Sequence, residues 1–400
     1  MRHRGTASTL SMVGALATAA MLMTAQLAVA QDQSPAAASP DQSAAPAAAP
    51  PPMSANASVY ATGLDNPRGL TFGPDGDLYV AEGGTGGTTS TEGQCDQVVA
   101  PVGPYTSGST ARISRIDSSG ARTTMVEGLP SSQLSAQEGG LVSGVSSVAF
   151  VDGTLYYDLA GAGCSHGVAD VPNGVFKVND DGTTALVADV SAFVRANPVA
   201  QPEAEDFEPD ETTYAMIADG GMLYLTQPNH GEIDRVDPTS GDITRVIDIS
   251  ASEGHIVPTA IVMAPDGDFR VGNLSTFPVV AGASNIYKVT PDGQISTETT
   301  GLTAVVGLQY VDGQLYALEA SGPPADPTQA PIAPFSGRIV RIEDDGSLTT
   351  VATGLMFPTA MTTGPDDGNL YVSDFGFGAP AGGGEIVKVD LSAPLPDAAM

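Results

Sequence analysis

Residues Gly63–Gly84 read GLDNPRGLTFGPDGDLYVAEGG. Two short apolar runs, Leu70-Thr71-Phe72 and Leu78-Tyr79-Val80, flank the turn Pro74-Asp75-Gly76. The second run recurs along the chain as Leu155-Tyr156-Tyr157, Leu223-Tyr224-Leu225, Phe269-Arg270-Val271, Leu315-Tyr316-Ala317 and Leu370-Tyr371-Val372, which makes six copies. Each is preceded by a turn (PDGD, VDGT, ADGGM, PDGD, VDGQ, PDDGN) and, before that, by another apolar run. Glycine supplies the positive backbone angle such turns need, so turn geometry accounts for their Asp-Gly pairs. None of them completes an EF-type calcium loop.

Each copy continues with an apolar run interrupted by a basic residue: Ile113–Ile116, Val175–Val178, Ile233–Val236, Ile286–Val289, Ile339–Ile342 and Ile386–Val389. Such alternation marks a strand with one buried face. A Gly-containing turn and a last run follow in the first five copies. The unit therefore has four strands, a to d, and six units predict an all-β, six-bladed β-propeller. The sixth unit stops after its third strand, at Asp390. Its missing fourth lies at the other end of the domain, where SVYATGL (Ser58–Leu64) matches TTVATGL (Thr349–Leu355). Pairing Val59–Leu64 beside Ile386–Val389 closes the ring and leaves no exposed blade edge.

The ends divide the chain further. Residues 1–30 read as a signal peptide: Arg2 and Arg4, an apolar run from Leu10 to Val29, and a small-residue site at Ala28-Val29-Ala30. Residues 31–57, rich in Pro, Ala, Ser and Gln, read as a disordered linker with too little apolar surface to offset chain entropy. The propeller takes 58–390 and a tail 391–400. Forty-six acidic residues against fifteen basic ones give a net charge of −31. Loss of Arg2 and Arg4 lowers this to about −33. A surface so acidic repels phosphate backbones and anionic lipid, so nucleic acid and peripheral membrane binding are excluded. The expected location is outside the cytoplasm, as a secreted monomer without a membrane span once the signal is cleaved. The expected partner is a small molecule or another extracytoplasmic protein. The two cysteines, Cys95 and Cys164, lie in insertions of neighbouring blades and are expected to form a disulfide.

The a–b and c–d turns share one face of the ring and are short. The b–c and d–a connections share the other and carry all the long insertions, the usual place for function. At this embellished face the ends of the b strands are Glu82, Leu159, Gln227, Asn273, Glu319 and Asp374. Two readings stand for this polar ring: a cation or polyol site at the channel mouth, or strand-ending groups bonded to loop amides. Asn66, Arg68, Glu211 and Thr259, at the starts of a strands, join them at the mouth. Arg68 is a candidate anchor for an anionic ligand, or one half of an internal ion pair. The candidate binding set is Arg68, Glu82, Gln227, Asn273, Glu319 and Asp374. No cofactor is evident, and a divalent cation such as Ca²⁺ in the central channel is the one kept open. His166, His230 and His255 all fall in embellished connections, without HxH or HExxH spacing. Gly163-Cys164-Ser165-His166-Gly167 matches G-x-S-x-G but lacks the strand–turn–helix setting a nucleophile elbow needs. No catalytic constellation is identified.

The chain resembles the ScyD/ScyE family of exported bacterial propellers, named for a scytonemin gene cluster. The resemblance rests on Gly63–Gly84, the Cys-containing insertion after it, GNLSTFPVVAGASNIYKV (Gly272–Val289) and LYVSDFG (Leu370–Gly376). It implies an NHL-like or gluconolactonase-like propeller and carries no activity or catalytic residues. The first blade is also similar to that of pyrroloquinoline-quinone sugar dehydrogenases, whose histidine-base and calcium pattern is absent. The Pro-Asn-Gly strand start of gluconolactonase-like enzymes is replaced here by Pro67-Arg68-Gly69, Pro258-Thr259-Ala260 and Pro358-Thr359-Ala360. A metal-dependent lactonase, hydrolase or sugar-dehydrogenase-like enzyme with its site at the channel mouth is the alternative function.

Overall fold

A computed structural model describes residues 52–135, 141–204, 206–324, 332–365 and 367–393. The signal peptide and most of the linker expected from the sequence lie outside these residues. The described chain forms six antiparallel sheets arranged as a six-bladed propeller. Their a strands are Pro67–Phe72, Val145–Val151, Met216–Asp219, Pro258–Met263, Val305–Val311 and Ala360–Thr363. The first blade carries an extra two-residue strand, Val142–Ser143, on its outer edge. The last blade takes its outer strand from the N-terminal Ala57–Leu64, with Val59 opposite Val387 and Leu64 opposite Gly384. The folded chain begins before residue 58: the Ser54 amide bonds to Thr353 O and Asn56 Nδ2 to Val351 O, both on the fifth blade.

Alternation along each strand sends side chains to both faces of its sheet, and each face meets a neighbouring blade. Six apolar clusters result, one between each pair of adjacent blades. The cluster that joins the ends of the ring packs Ala61, Leu64, Tyr371 and Ile386 against Leu70, Leu78, Val80 and Ile116. Around the channel the a strands approach closely, and a Cβ on Gly69 would come within 2.8 Å of the Ser147 backbone.

The turns on the plain face fold as their sequences dictate. In the VDGT and VDGQ turns, Asp152 and Gly153, and likewise Asp312 and Gly313, all have positive φ, the geometry of a two-residue hairpin turn. In most of the other turns the Asp carboxylate accepts a backbone amide two residues on, as with Asp117 and Ser119 or Asp345 and Ser347. These carboxylates are used by the turns themselves. The insertion before the third blade opens with a short helix, α1 (Val190–Ala196). Asp189 caps it by accepting the Ala192 amide at 2.7 Å.

Candidate functional site

Three of the six b-strand ends perform one job. Glu82, Glu319 and Asp374 turn back to accept the backbone amide of the residue that follows the preceding d strand: Asp65 at 2.5 Å, Thr303 at 2.5 Å and Met356 at 2.8 Å. Each thereby pins the connection leading into its own blade. Glu82 and Glu319 are neutralised from the facing position on strand c, by Arg112 at 2.7 Å and by Arg338. Asp374 faces Glu385 instead. Burial first, and Glu385 after it, push the Asp374 carboxyl up to about 7, against the amides of Met356 and Phe375. Asn273 does related work with an amide, donating to Ile256 O at 2.8 Å and accepting from Asn285 N at 2.7 Å. In the second blade Leu159 has no polar group to offer. There Asn173 accepts the Ala162 amide and donates to Glu211 O. Gln227 donates to Asp234 at 2.6 Å and leaves its own carbonyl oxygen without a partner.

Arg68 is buried and pairs with no carboxylate among the described residues. Its guanidinium bridges blades by donating to Gly376 O and to Val142 O, and lies 4.5 Å from the Phe377 ring centroid. Burial pulls its pKa down to about 10. The internal ion pair foreseen as one reading is therefore absent, and backbone carbonyls carry the charge. Tyr214 of the third blade donates to Thr359 O of the sixth at 3.0 Å, so its ring crosses the channel. Between Tyr214 and the plain face the channel keeps a cavity of about 420 Å³ walled by the a strands. Its polar lining is Thr71, Ser147, Tyr214, Gln309 and Thr362, with no carboxylate, imidazole or thiolate. A divalent ion in this half of the channel would find no anionic donor.

The segment Asp206–Glu211 (DFEPDE) ties the embellished face together, a role the sequence reading missed. His255 Nε2 meets Asp206 at 2.8 Å and His166 Nε2 meets Glu208 at 2.9 Å. Ser165 donates to Asp210 through both its amide and its hydroxyl. His230 Nε2 lies 3.2 Å from Glu211 and stacks on Phe207. Every histidine of the folded chain thus docks onto this one acidic stretch. Glu208 also accepts from Tyr105. Although burial opposes it, the His166, Tyr105 and Thr212 contacts hold the Glu208 carboxyl below its usual value. Ser132, His166 and Glu208 form a chain of contacts like a hydrolase relay, with Ser132 Oγ 2.9 Å from His166 Nδ1. All three are sealed from solvent, with exposures of 1 %, 0 % and 5 %, so the chain binds loops together and presents no nucleophile. The disulfide joins Cys95 to Cys164 beside this network, as the sequence suggested.

The embellished face retains a cavity of about 260 Å³ where the first and sixth blades meet. It is lined by Asn66, Thr85, Gln133, Val142, Gly378, Ala379 and Ala381. Val142, whose carbonyl Arg68 holds, is part of its wall. Asn66 is buried in a left-handed conformation (φ 51°), donates to Gly84 O at 2.8 Å and leaves Oδ1 without a partner. Asn66, a residue the sequence singles out, lines this cavity, while Thr85 enters from the b–c insertion of the first blade and Gln133 from the end of its d strand.

No protein-family model and no curated protein match the chain. Solved structures do. A Bacteroides thetaiotaomicron protein of unknown function has a TM-score of 0.52 at 11 % identity, covering 85 % of this chain and 76 % of its own. A Thermus thermophilus protein described as a putative oxidoreductase (glucose dehydrogenase) has a TM-score of 0.52 at 16 % identity, covering 83 % and 99 %. A Xanthomonas campestris gluconolactonase has a TM-score of 0.49 at 10 % identity, covering 85 % and 89 %. At such identities the likeness is one of fold.

Proposed function

We propose that the protein is an exported, non-catalytic propeller of the ScyD/ScyE type that captures a small hydroxyl-rich ligand on its embellished face. The observation that carries this reading is a cavity lined by the polar side chains of Asn66, Thr85 and Gln133, with the unpartnered Asn66 Oδ1 buried at its wall. A buried acceptor without a donor costs about 1–3 kcal/mol, and a ligand hydroxyl would remove that cost. Thr85 and Gln133 offer further donors and acceptors, and the Arg68 guanidinium close behind Val142 favours a neutral or anionic ligand over a cation. The disulfide and the Asp206–Glu211 network give the pocket rigid neighbours, which lowers the ordering cost of binding.

The test is calorimetric titration of the mature protein with a panel of sugars, cyclitols and aldonates. The expected result is saturable binding of at least one of them, abolished by Ala379→Trp, which fills the cavity, with the melting temperature of the free variant unchanged. Absence of binding across the panel, or binding indifferent to the Trp side chain, defeats the reading.

A further inference from the structure

On the side of the third blade that faces the second, the b–c ladder places Gln227 opposite Glu232 and Leu225 opposite Asp234, so Gln227, Glu232 and Asp234 share one face of the sheet. Arg245 stands opposite Asp234 on strand d. Glu211, held in a left-handed backbone conformation (φ 61°), descends on them from the connection before strand a. Glu211, Gln227, Glu232 and Asp234 are all completely buried. Three carboxylates thus share one guanidinium, which pairs with Glu232 and also donates to Asn197 O. Four oxygens have neither a hydrogen bond nor an ion-pair partner, namely one each of Glu211, Glu232 and Asp234 and the neutral side-chain carbonyl oxygen of Gln227; the other Glu211 oxygen lies 3.2 Å from His230 Nε2 and the other Glu232 oxygen meets Arg245 Nε. Asp248 nearby shows the contrast, since its carboxylate accepts from the Ala200 amide, the Ala251 amide and the Ser250 hydroxyl.

We infer that this cluster is a site for a hard divalent cation, Ca²⁺ by preference, wedged between the second and third blades. Three buried carboxylates set against one guanidinium and one imidazole are only partly compensated, and burying charge without full compensation is costly. The unmet groups are all oxygens, carboxylate and amide together, which is the donor set of calcium and not of zinc. The Gln227 carbonyl adds a buried, unmet neutral acceptor beside the carboxylates; one cation satisfies all of these oxygens together, where a single carboxyl proton satisfies only one. Among the described residues no three Asp, Glu, His or Cys side chains already converge on one point. The ion would draw Glu211 and Glu232 inward by side-chain rotation, as mutually repelling carboxylates require. The site is separate from the channel and from the ligand cavity of the first and sixth blades.

The experiment uses the mature protein, stripped with chelator and then dialysed against millimolar calcium. Elemental analysis is expected to find calcium retained in one-to-one proportion, and calcium is expected to raise the melting temperature. Glu232→Gln and Asp234→Asn should each weaken calcium binding by roughly tenfold or more, while Glu92→Gln on an exposed loop leaves it unchanged. Should either cluster variant fail to fold, calcium-dependent slowing of hydrogen exchange at the Gln227–Glu232 connection in the wild-type protein serves instead. No retained calcium, calcium binding that survives both substitutions, or hydrogen exchange at that connection indifferent to the ion overturns the assignment.

Discussion

Replacing Glu385 by arginine should stabilise the protein in a pH-dependent way. In the first and fifth blades the carboxylate that pins the incoming connection faces an arginine; in the sixth, Asp374 faces Glu385. The Asp374 carboxyl is raised from 3.8 to about 7, burial being the largest cause. A tenfold change in proton affinity is worth about 1.4 kcal/mol, so the ionised folded state carries a penalty of about 4 kcal/mol. Because the folded pKa lies above the unfolded one, the stability this group contributes is fully present below about pH 4 and drains away as pH rises through about 7. An opposite charge within a few ångströms typically recovers about one to three tenfold steps. Since Glu385 is only half-buried, solvent screening reduces this to about 2 kcal/mol at about pH 8. At about pH 5 Asp374 is still protonated in the folded state, and the gain from pairing should nearly vanish. Urea unfolding of wild type, Glu385→Arg and Glu385→Gln at both pH values measures this, the glutamine variant removing the like charge without adding a partner. If Glu385→Arg shifts stability equally at both pH values beyond what Glu385→Gln does, the assignment of Asp374 as an unpaired buried carboxyl fails.

Other outcomes follow from the same geometry. Replacing Cys95 and Cys164 by serine reopens a closed loop spanning a 69-residue separation and should cost up to about 4 kcal/mol in the chain-entropy model, read as a lower urea midpoint. Gly76→Ala meets no atom within 4 Å but must keep φ at 82°, so calorimetry should show a loss of about 1–2 kcal/mol from backbone strain alone. Tyr214→Phe removes the bond to Thr359 O across the channel and should cost about 1 kcal/mol, with fold and blade count unchanged by circular dichroism and scattering. Deleting residues 52–64 removes a whole outer strand and exposes Ile386, Val387 and Val389. The deleted protein should lose its cooperative melt or associate, and recover when a peptide of residues 52–64 is added.

The fold was legible because it is a repeat. Six copies of one pattern vote on each strand, and the match of Ser58–Leu64 to Thr349–Leu355 names the strand that completes the ring. The site was less so, for a physical reason visible at Glu82, Glu319 and Asp374. Each ends a b strand and reads alike in sequence, yet the charge it meets is that of the residue facing it on the c strand: Arg112, Arg338 or Glu385. That pairing register could have been laid out from the repeats, so this signal was within reach. The DFEPDE segment gave no such opportunity. Its acids reach His166, His230 and His255 from three separate connections, and no period relates them. Arg68 misled in a different way, because its partners are two backbone carbonyls that no side-chain pattern announces.

The outer strand of the sixth blade is the first part of the folded domain to be synthesised, and the strand it must join is among the last. The ribosome therefore releases Ala57–Leu64 more than three hundred residues before Gly384–Val389 exists to receive it. Five blades can collapse in order along the nascent chain, while the opening segment stays unpaired until the final one arrives. Any chain broken off early is left without its clasp, so full-length synthesis becomes a condition for a closed, protease-resistant ring.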